Sequence, residues 1–140
     1  LPPAFYTFAF METEFILYVR DQEASRAFYE AVLNQKPTLH VQGMTEFTLG
    51  PGLKLGLMPE NGIAKILAEK TPHPNTANGV PRCELYLKYG KINKFYARAL
   101  QAGALPISPP AARDWGHEVA YVADPDGHVI AFAGALERTE

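Results

Sequence analysis

The feature that most constrains this chain is a strand–turn–strand pattern that occurs twice. In Tyr121-Val-Ala-Asp-Pro-Asp-Gly-His-Val-Ile-Ala-Phe-Ala133 the segment Asp124–Gly127 turns the chain, and His128 to Ala133 returns as a second strand. Pro125 suits the second position of a turn, and Gly127 takes positive φ at no steric cost. A weaker copy lies upstream. Thr45-Glu-Phe-Thr-Leu-Gly-Pro-Gly-Leu-Lys-Leu-Gly-Leu-Met58 is again strand, Gly/Pro turn and strand. Laying Gly52 on Gly127 puts Leu53–Met58 under His128–Ala133. One unit is therefore used twice, and each copy of the hairpin should be preceded by its own strand and helix.

The flanking segments supply them. Glu14–Arg20 is rich in β-branched and aromatic residues and reads as a strand. Asp21 is placed to cap the helix that follows, whose apolar face is expected to be Ala24, Ala27, Phe28, Ala31 and Val32. Pro37 ends any helix, and Thr38–Val41 is a short strand before the first hairpin. Gly62–Lys70 reads as a short helix. Thr71–Pro81, with three prolines, Asn75, Asn78 and Gly79, reads as the linker between the units. The second copy begins with strand Cys83–Tyr89. Helix Ile92–Ala102 follows, with Ile92, Phe95, Tyr96, Ala99 and Leu100 on one face and Gly103 as its C-terminal glycine. Leu105–Ile107 is a short strand, and Ser108–Gly116 reads as a loop or flap. Both halves read strand, helix, strand, strand, strand, which is an α+β chain of two βαβββ modules, 11–70 and 81–136.

Composition narrows the function classes. A chain of 140 residues is long enough for one well-buried domain. A net charge of −2 argues against a nucleic-acid surface or a membrane held by charge. No apolar run approaches the roughly 20 residues a membrane span needs. The single cysteine, Cys83, forms no internal disulfide, fits a reducing cytoplasm and reads as a buried structural residue. Residues 1–10 are aromatic and uncharged and read as an extension outside the domain, 11–136. Gly-x-Ser-x-Gly, a phosphate-binding glycine loop and Cys-x-x-Cys are all missing from the sequence.

The order of elements, with Phe15-Ile-Leu-Tyr-Val-Arg-Asp21, Ser25-Arg-Ala-Phe-Tyr-Glu-Ala-Val-Leu33, Phe95–Ala104 and Tyr121–Phe132, resembles the vicinal oxygen chelate superfamily. That group includes glyoxalase I, fosfomycin resistance proteins, extradiol dioxygenases and bleomycin resistance proteins. The resemblance implies two curved mixed sheets around a ligand cavity, helices on the outside, and commonly a homodimer. It also implies four metal-ligand positions. The first-strand pair falls on Glu14 and Glu84, and the last-strand pair falls on Gly56 and Ala131. Gly56 and Ala131 have no donor atom, so no metal cofactor is expected. A divalent ion on Glu14 and Glu84, with His117 as a third ligand, is the alternative.

The residues themselves nominate the rest of the site. Alternation puts Glu14, Ile16 and Tyr18 on one face of the first strand, opposite Phe15, Leu17 and Val19, which should pack under the helix. Likewise Glu84, Tyr86 and Lys88 oppose Leu85, Leu87 and Tyr89. Trp115, His117, Val119 and Tyr121 share one parity, and the resemblance puts Tyr121 toward the ligand. The expected ligand-binding set is Glu14, Tyr18, Glu84, Tyr86, Trp115, His117 and Tyr121, with His117 also a candidate general base. Arg113 and Asp114 are read as fixing the flap, with Arg113 available to an anion. His128 is placed on an exposed turn, and His40 and His73 carry no signal. If Glu14 and Glu84 face one dry cavity, at least one should have a raised pKa, and cations should bind better than anions. The expectation is a metal-free binder of an aromatic or cationic small molecule. The alternatives are a metal-dependent glyoxalase-like lyase or fosfomycin-type thiol transferase, or a ligand-sensing regulator.

Overall fold

The computed structural model describes residues 11–136. The reading of residues 1–10 as an extension lies outside them. The elements are β1 (Thr13–Val19), α1 (Gln22–Leu33), β2 (Leu39–Val41), β3 (Met44–Gly50), β4 (Leu53–Pro59), α2 (Glu60–Leu67), a 3-10 turn (Pro74–Ala77), β5 (Glu84–Leu87), α3 (Ile92–Gln101), β6 (Leu105–Ala112), β7 (His117–Ala123) and β8 (Val129–Ala135). They form two four-stranded mixed sheets with the orders β1-β4-β3-β2 and β5-β8-β7-β6. In each sheet the first strand pairs in parallel with the last, and the other pairs are antiparallel. The repeat read from the two hairpins is thus the repeat of the fold. Contacts divide the chain into two compact units. One holds residues 11–26 and 35–74, and the other holds residues 27–34 and 75–136. None of the helices among the described residues is long and apolar enough to cross a membrane.

In the first unit the parallel register sets Phe15 beside Leu55, Leu17 beside Leu57 and Val19 beside Pro59. On β3, Phe47 and Thr45 join the same rows. Phe47, Leu55, Leu57 and Val19 are fully buried, so this is the packed face. Phe15 departs from the expectation and is 63% exposed. It lies on an edge strand, and α2 leaves β4 at the far end of the pair, beside Val19. Asp21 caps α1 as expected, accepting the Ala24 backbone N–H at 3.0 Å.

In the second unit α3 packs on β6, β7 and β8, with Phe95 stacked on Phe132 at 5.8 Å. Both faces of the central strands are buried, Val119, Ala131 and Ala133 on one side and Ala120, Val122, Ile130 and Phe132 on the other. Along α1 the buried residues are Ser25, Phe28, Tyr29, Val32 and Leu33, while Ala24, Ala27 and Ala31 are exposed. The buried stripe is thus rotated toward the large side chains, because an alanine offers little area to gain.

Two further expectations are corrected. The segment after Ile107 is strand, not loop, as far as Ala112. Its prolines are tolerated because β6 is the sheet edge and the register slips between Ser108 and Ala111. Cys83 is exposed rather than buried, because pairing of β5 begins only at Glu84.

Candidate functional site

The second sheet carries a linked group of side chains on one face. Tyr86 on β5, Ala131 on β8, Tyr121 on β7 and Ser108 on β6 are register partners and form one row across the four strands. His117 lies four residues before Tyr121 on β7, on the same side. The tight turn Arg113–Gly116 joins β6 to β7 and places Trp115 at its tip, 56% exposed. Two backbone bonds hold this turn, Arg113 N–H to the His117 carbonyl at 2.8 Å and Gly116 N–H to the Arg113 carbonyl at 3.2 Å.

Three of the nominated residues meet in a hydrogen-bonded chain. The Trp115 indole N–H donates to the Tyr86 hydroxyl at 2.9 Å, and that hydroxyl lies 2.7 Å from His117 Nδ1. Indole is only a donor, so the Tyr86 hydroxyl oxygen accepts from Trp115. The chain fixes the orientation of two exposed rings without burying them.

Arg113 lies over Tyr121, with its guanidinium carbon 5.2 Å from the ring centroid. Its Nη2 donates to Ser108 Oγ at 2.9 Å, and its Nε is buried without a partner. The Tyr121 hydroxyl is held above its ordinary pKa, first by burial and then by the charge of Glu84, while Arg113 acts in the opposite direction. Glu84 and Tyr121 are therefore electrostatic neighbours, and Glu84 itself is exposed.

The first sheet holds the other two nominated residues. Glu14 and Tyr18 lie on the face of β1 away from Phe15, in register with Lys54 and Met58 of β4. The Glu14 carboxyl lies over Gly56, in the space a Cβ there would fill, and its Oε2 is buried without a hydrogen-bond partner from the donors around it. Its pKa is raised to about 7, chiefly by burial, then by a hydrogen bond shared with Glu46 and by the Glu46 charge, against the pull of Lys54. The sequence reading set Glu84 beside Glu14 as the repelling carboxylate; the carboxylate that acts on Glu14 here is Glu46 of β3. Lys54 Nζ stands 3.6 Å from Glu46 and 3.7 Å from Glu12. Sequence reasoning missed Glu46 and Lys54. Alternation along Thr45-Glu46-Phe47, with Thr45 and Phe47 both buried, was the available signal.

The donor set can be compared with that of a catalytic divalent metal, which takes three protein ligands and a water. In the first unit Gly56 supplies no donor, and the adjacent Glu14 carboxyl is held above its ordinary pKa by burial and by Glu46. In the second, Ala131 supplies none and is fully buried. Asp124, Asp126 and His128 do cluster, with ligand atoms within 4.8 Å of one another. Asp124 is already committed, however. Its Oδ1 accepts the backbone N–H groups of Asp126 and His128 at 2.9 and 2.8 Å, and its Oδ2 accepts the Tyr29 hydroxyl proton at 2.6 Å. That arrangement builds the turn. His128 is half-buried rather than exposed.

Two βαβββ modules, each a four-stranded mixed sheet, are the α+β architecture of the vicinal oxygen chelate superfamily. The chain belongs to the glyoxalase-like domain family, whose model matches residues 12–137. Among solved structures it is similar to a glyoxalase-related enzyme from Fulvimarina pelagi, at 21% identity and TM-score 0.74, covering 87% of this chain and 86% of that one. It is also similar to a glyoxalase/bleomycin resistance protein/dioxygenase from Nocardioides, at 24% identity and TM-score 0.68, covering 98% and 93%. A third likeness is to a glyoxalase/bleomycin resistance protein/dioxygenase family enzyme from Burkholderia phytofirmans, at 16% identity and TM-score 0.71, covering 88% and 97%. At these identities the structures speak for the fold alone. No protein of curated function matches the chain.

Proposed function

We propose that the protein is a metal-free binder of an aromatic or cationic small molecule, held against the second sheet by Tyr86, Trp115, His117, Tyr121 and Glu84. The observation that carries this reading is the Trp115–Tyr86–His117 hydrogen-bonded chain. It holds exposed aromatic rings in fixed orientations beside an acidic side chain, so little side-chain entropy remains to be lost on binding. A cation over these rings gains roughly 0.5–2 kcal/mol per good contact, and Glu84 adds a matching charge. Gly56 and Ala131, without donor atoms, support the metal-free part of the reading.

Trp115 is the only tryptophan, so its fluorescence reports on this site alone. Titration with phenethylamine should change its emission, with the same midpoint before and after treatment with a chelator. Binding that vanishes with the chelator, or one tightly held divalent ion per chain on metal analysis, would overturn the reading. Either result would favour the rival, a metal-dependent lyase or thiol transferase. A partner protein released or captured only when ligand is present would mark a ligand sensor.

A further inference from the structure

The polar atoms of Trp115, Tyr86 and His117 are largely engaged with one another, and this limits the kind of cation the group can take. The indole N–H is the only polar group of Trp115, and it bonds the Tyr86 hydroxyl at 2.9 Å. What Trp115 offers a ligand is therefore its ring. The Tyr86 oxygen has two lone pairs and one proton, and Trp115 takes one lone pair. The 2.7 Å contact with His117 Nδ1 takes either the other lone pair or the proton. If Tyr86 donates, it keeps one lone pair, and the neutral imidazole carries its proton on Nε2. If Nδ1 donates, both lone pairs of Tyr86 are used and Nε2 is left as an acceptor. In either tautomer the three side chains together keep one acceptor. A primary ammonium carries three N–H donors and is strongly hydrated, so it would exchange several water contacts for one hydrogen bond. The same sheet face already seats a cation on a ring, since the Arg113 guanidinium carbon lies 5.2 Å from the Tyr121 centroid. A guanidinium is delocalised and more weakly hydrated than an ammonium.

We infer that the ligand class of this site is a quaternary ammonium compound, whose cationic nitrogen carries methyl groups in place of N–H donors. Such a cation needs no acceptors and is attracted to the negative faces of aromatic rings, tryptophan best of all. Trp115 is 56% exposed at the tip of its turn and Tyr86 is 37% exposed, so both rings are open to a ligand. The inference rests on the small-molecule reading above and narrows the cation within it. Glu84 is exposed, and its charge attracts either kind of cation, so the choice between them falls to the rings.

Calorimetry with three probes on one scaffold tests this: phenethylamine, its N,N,N-trimethyl derivative, and the uncharged near-isostere 2-methyl-4-phenylbutan-2-ol. The trimethyl derivative should bind at least about fivefold more tightly than either of the others. Trp115→Leu keeps an apolar side chain at an exposed position and removes the ring. It should bring the trimethyl derivative to within about twofold of phenethylamine. Melting curves establish that the variant is folded. If phenethylamine binds and its trimethyl derivative binds no more tightly, the quaternary assignment is refuted while the small-molecule reading stands. The same follows if the uncharged alcohol equals the trimethyl derivative, or if Trp115→Leu keeps the preference. If none of the three probes binds, both fall.

Discussion

The Glu14 carboxyl occupies the space that the missing side chain of Gly56 leaves open on the neighbouring strand. In the resemblance read from the sequence both positions are metal-ligand positions, yet here one residue fills the gap of the other. A Cβ on Gly56 would strike Glu14 Oε2 and approach Ile16 Cγ1 to 3.0 Å. Gly56→Ala should therefore push the carboxyl out toward water. A flexible side-chain end gives way more readily than backbone, so the cost should be about 1 kcal/mol. Carbon-detected NMR titration of Glu14 should show its pKa falling from about 7 toward the ordinary carboxylate range. An unchanged titration would mean that the packing over Gly56 is not what raises it.

The same group makes stability depend on pH. Burial, the hydrogen bond to Glu46 and the Glu46 charge favour the protonated form of Glu14, while Lys54 opposes them and Glu12 adds a smaller push in the same direction as Glu46. The folded pKa lies above the unfolded one, so this contribution is fully present below pH 4.5 and is lost as pH rises through about 7. Glu14→Gln keeps the neutral shape at every pH. Its melting temperature relative to wild type should climb between pH 5 and pH 8 and level off above. A difference that stays flat over this range would remove Glu14 from the pH response.

Tyr29 and Asp124 test the buried end of the second unit. The Tyr29 hydroxyl is fully buried and pushed well above its ordinary pKa, chiefly by burial and then by Asp124. Burial also raises Asp124, against the hydrogen bonds from Tyr29, Asp126 and His128. Tyr29→Phe removes one of those bonds and leaves a buried carboxylate oxygen short of a donor. Urea denaturation should show a loss of about 1.5–3 kcal/mol. Combining Tyr29→Phe with Asp124→Asn should cost clearly less than the two single changes added together, because the partners share one interaction.

The two sheets were legible because each hairpin carries its own turn chemistry and its own preceding helix. Alternation also placed Glu14 opposite Phe15 and His117 with Tyr121, since the period of a strand is fixed. What the sequence hid depends on position within a sheet. Pro109 and Pro110 look like loop residues until β6 is known to be an edge strand. Phe15 looks like core until β1 is known to be an edge, and Cys83 until the first pair of β5 is placed. The bond from Tyr86 to His117 spans 31 residues, and no local pattern announces it. The Arg113 stack on Tyr121 likewise required the turn geometry at Trp115.

The turn glycines give the last test, because three of them separate two costs. Gly127 has φ +92°, and a Cβ there would come within 2.8 Å of the Gly79 backbone, just ahead of the second unit's first strand. Gly52 repeats the arrangement in the first unit, with φ +69° and the Met11 carbonyl oxygen at 2.7 Å. Gly116 has φ +88° with nothing within 4 Å. All three pay the left-handed penalty on substitution, about 1–2 kcal/mol. Only Gly127 and Gly52 also drive a methyl group into backbone, which cannot swing aside as a side chain can. Gly127→Ala and Gly52→Ala should each lose at least 1 kcal/mol more than Gly116→Ala in urea denaturation, by the scale of overpacking. Equal losses at all three would show that left-handed strain alone selects these glycines and that the close approach ahead of each first strand contributes nothing.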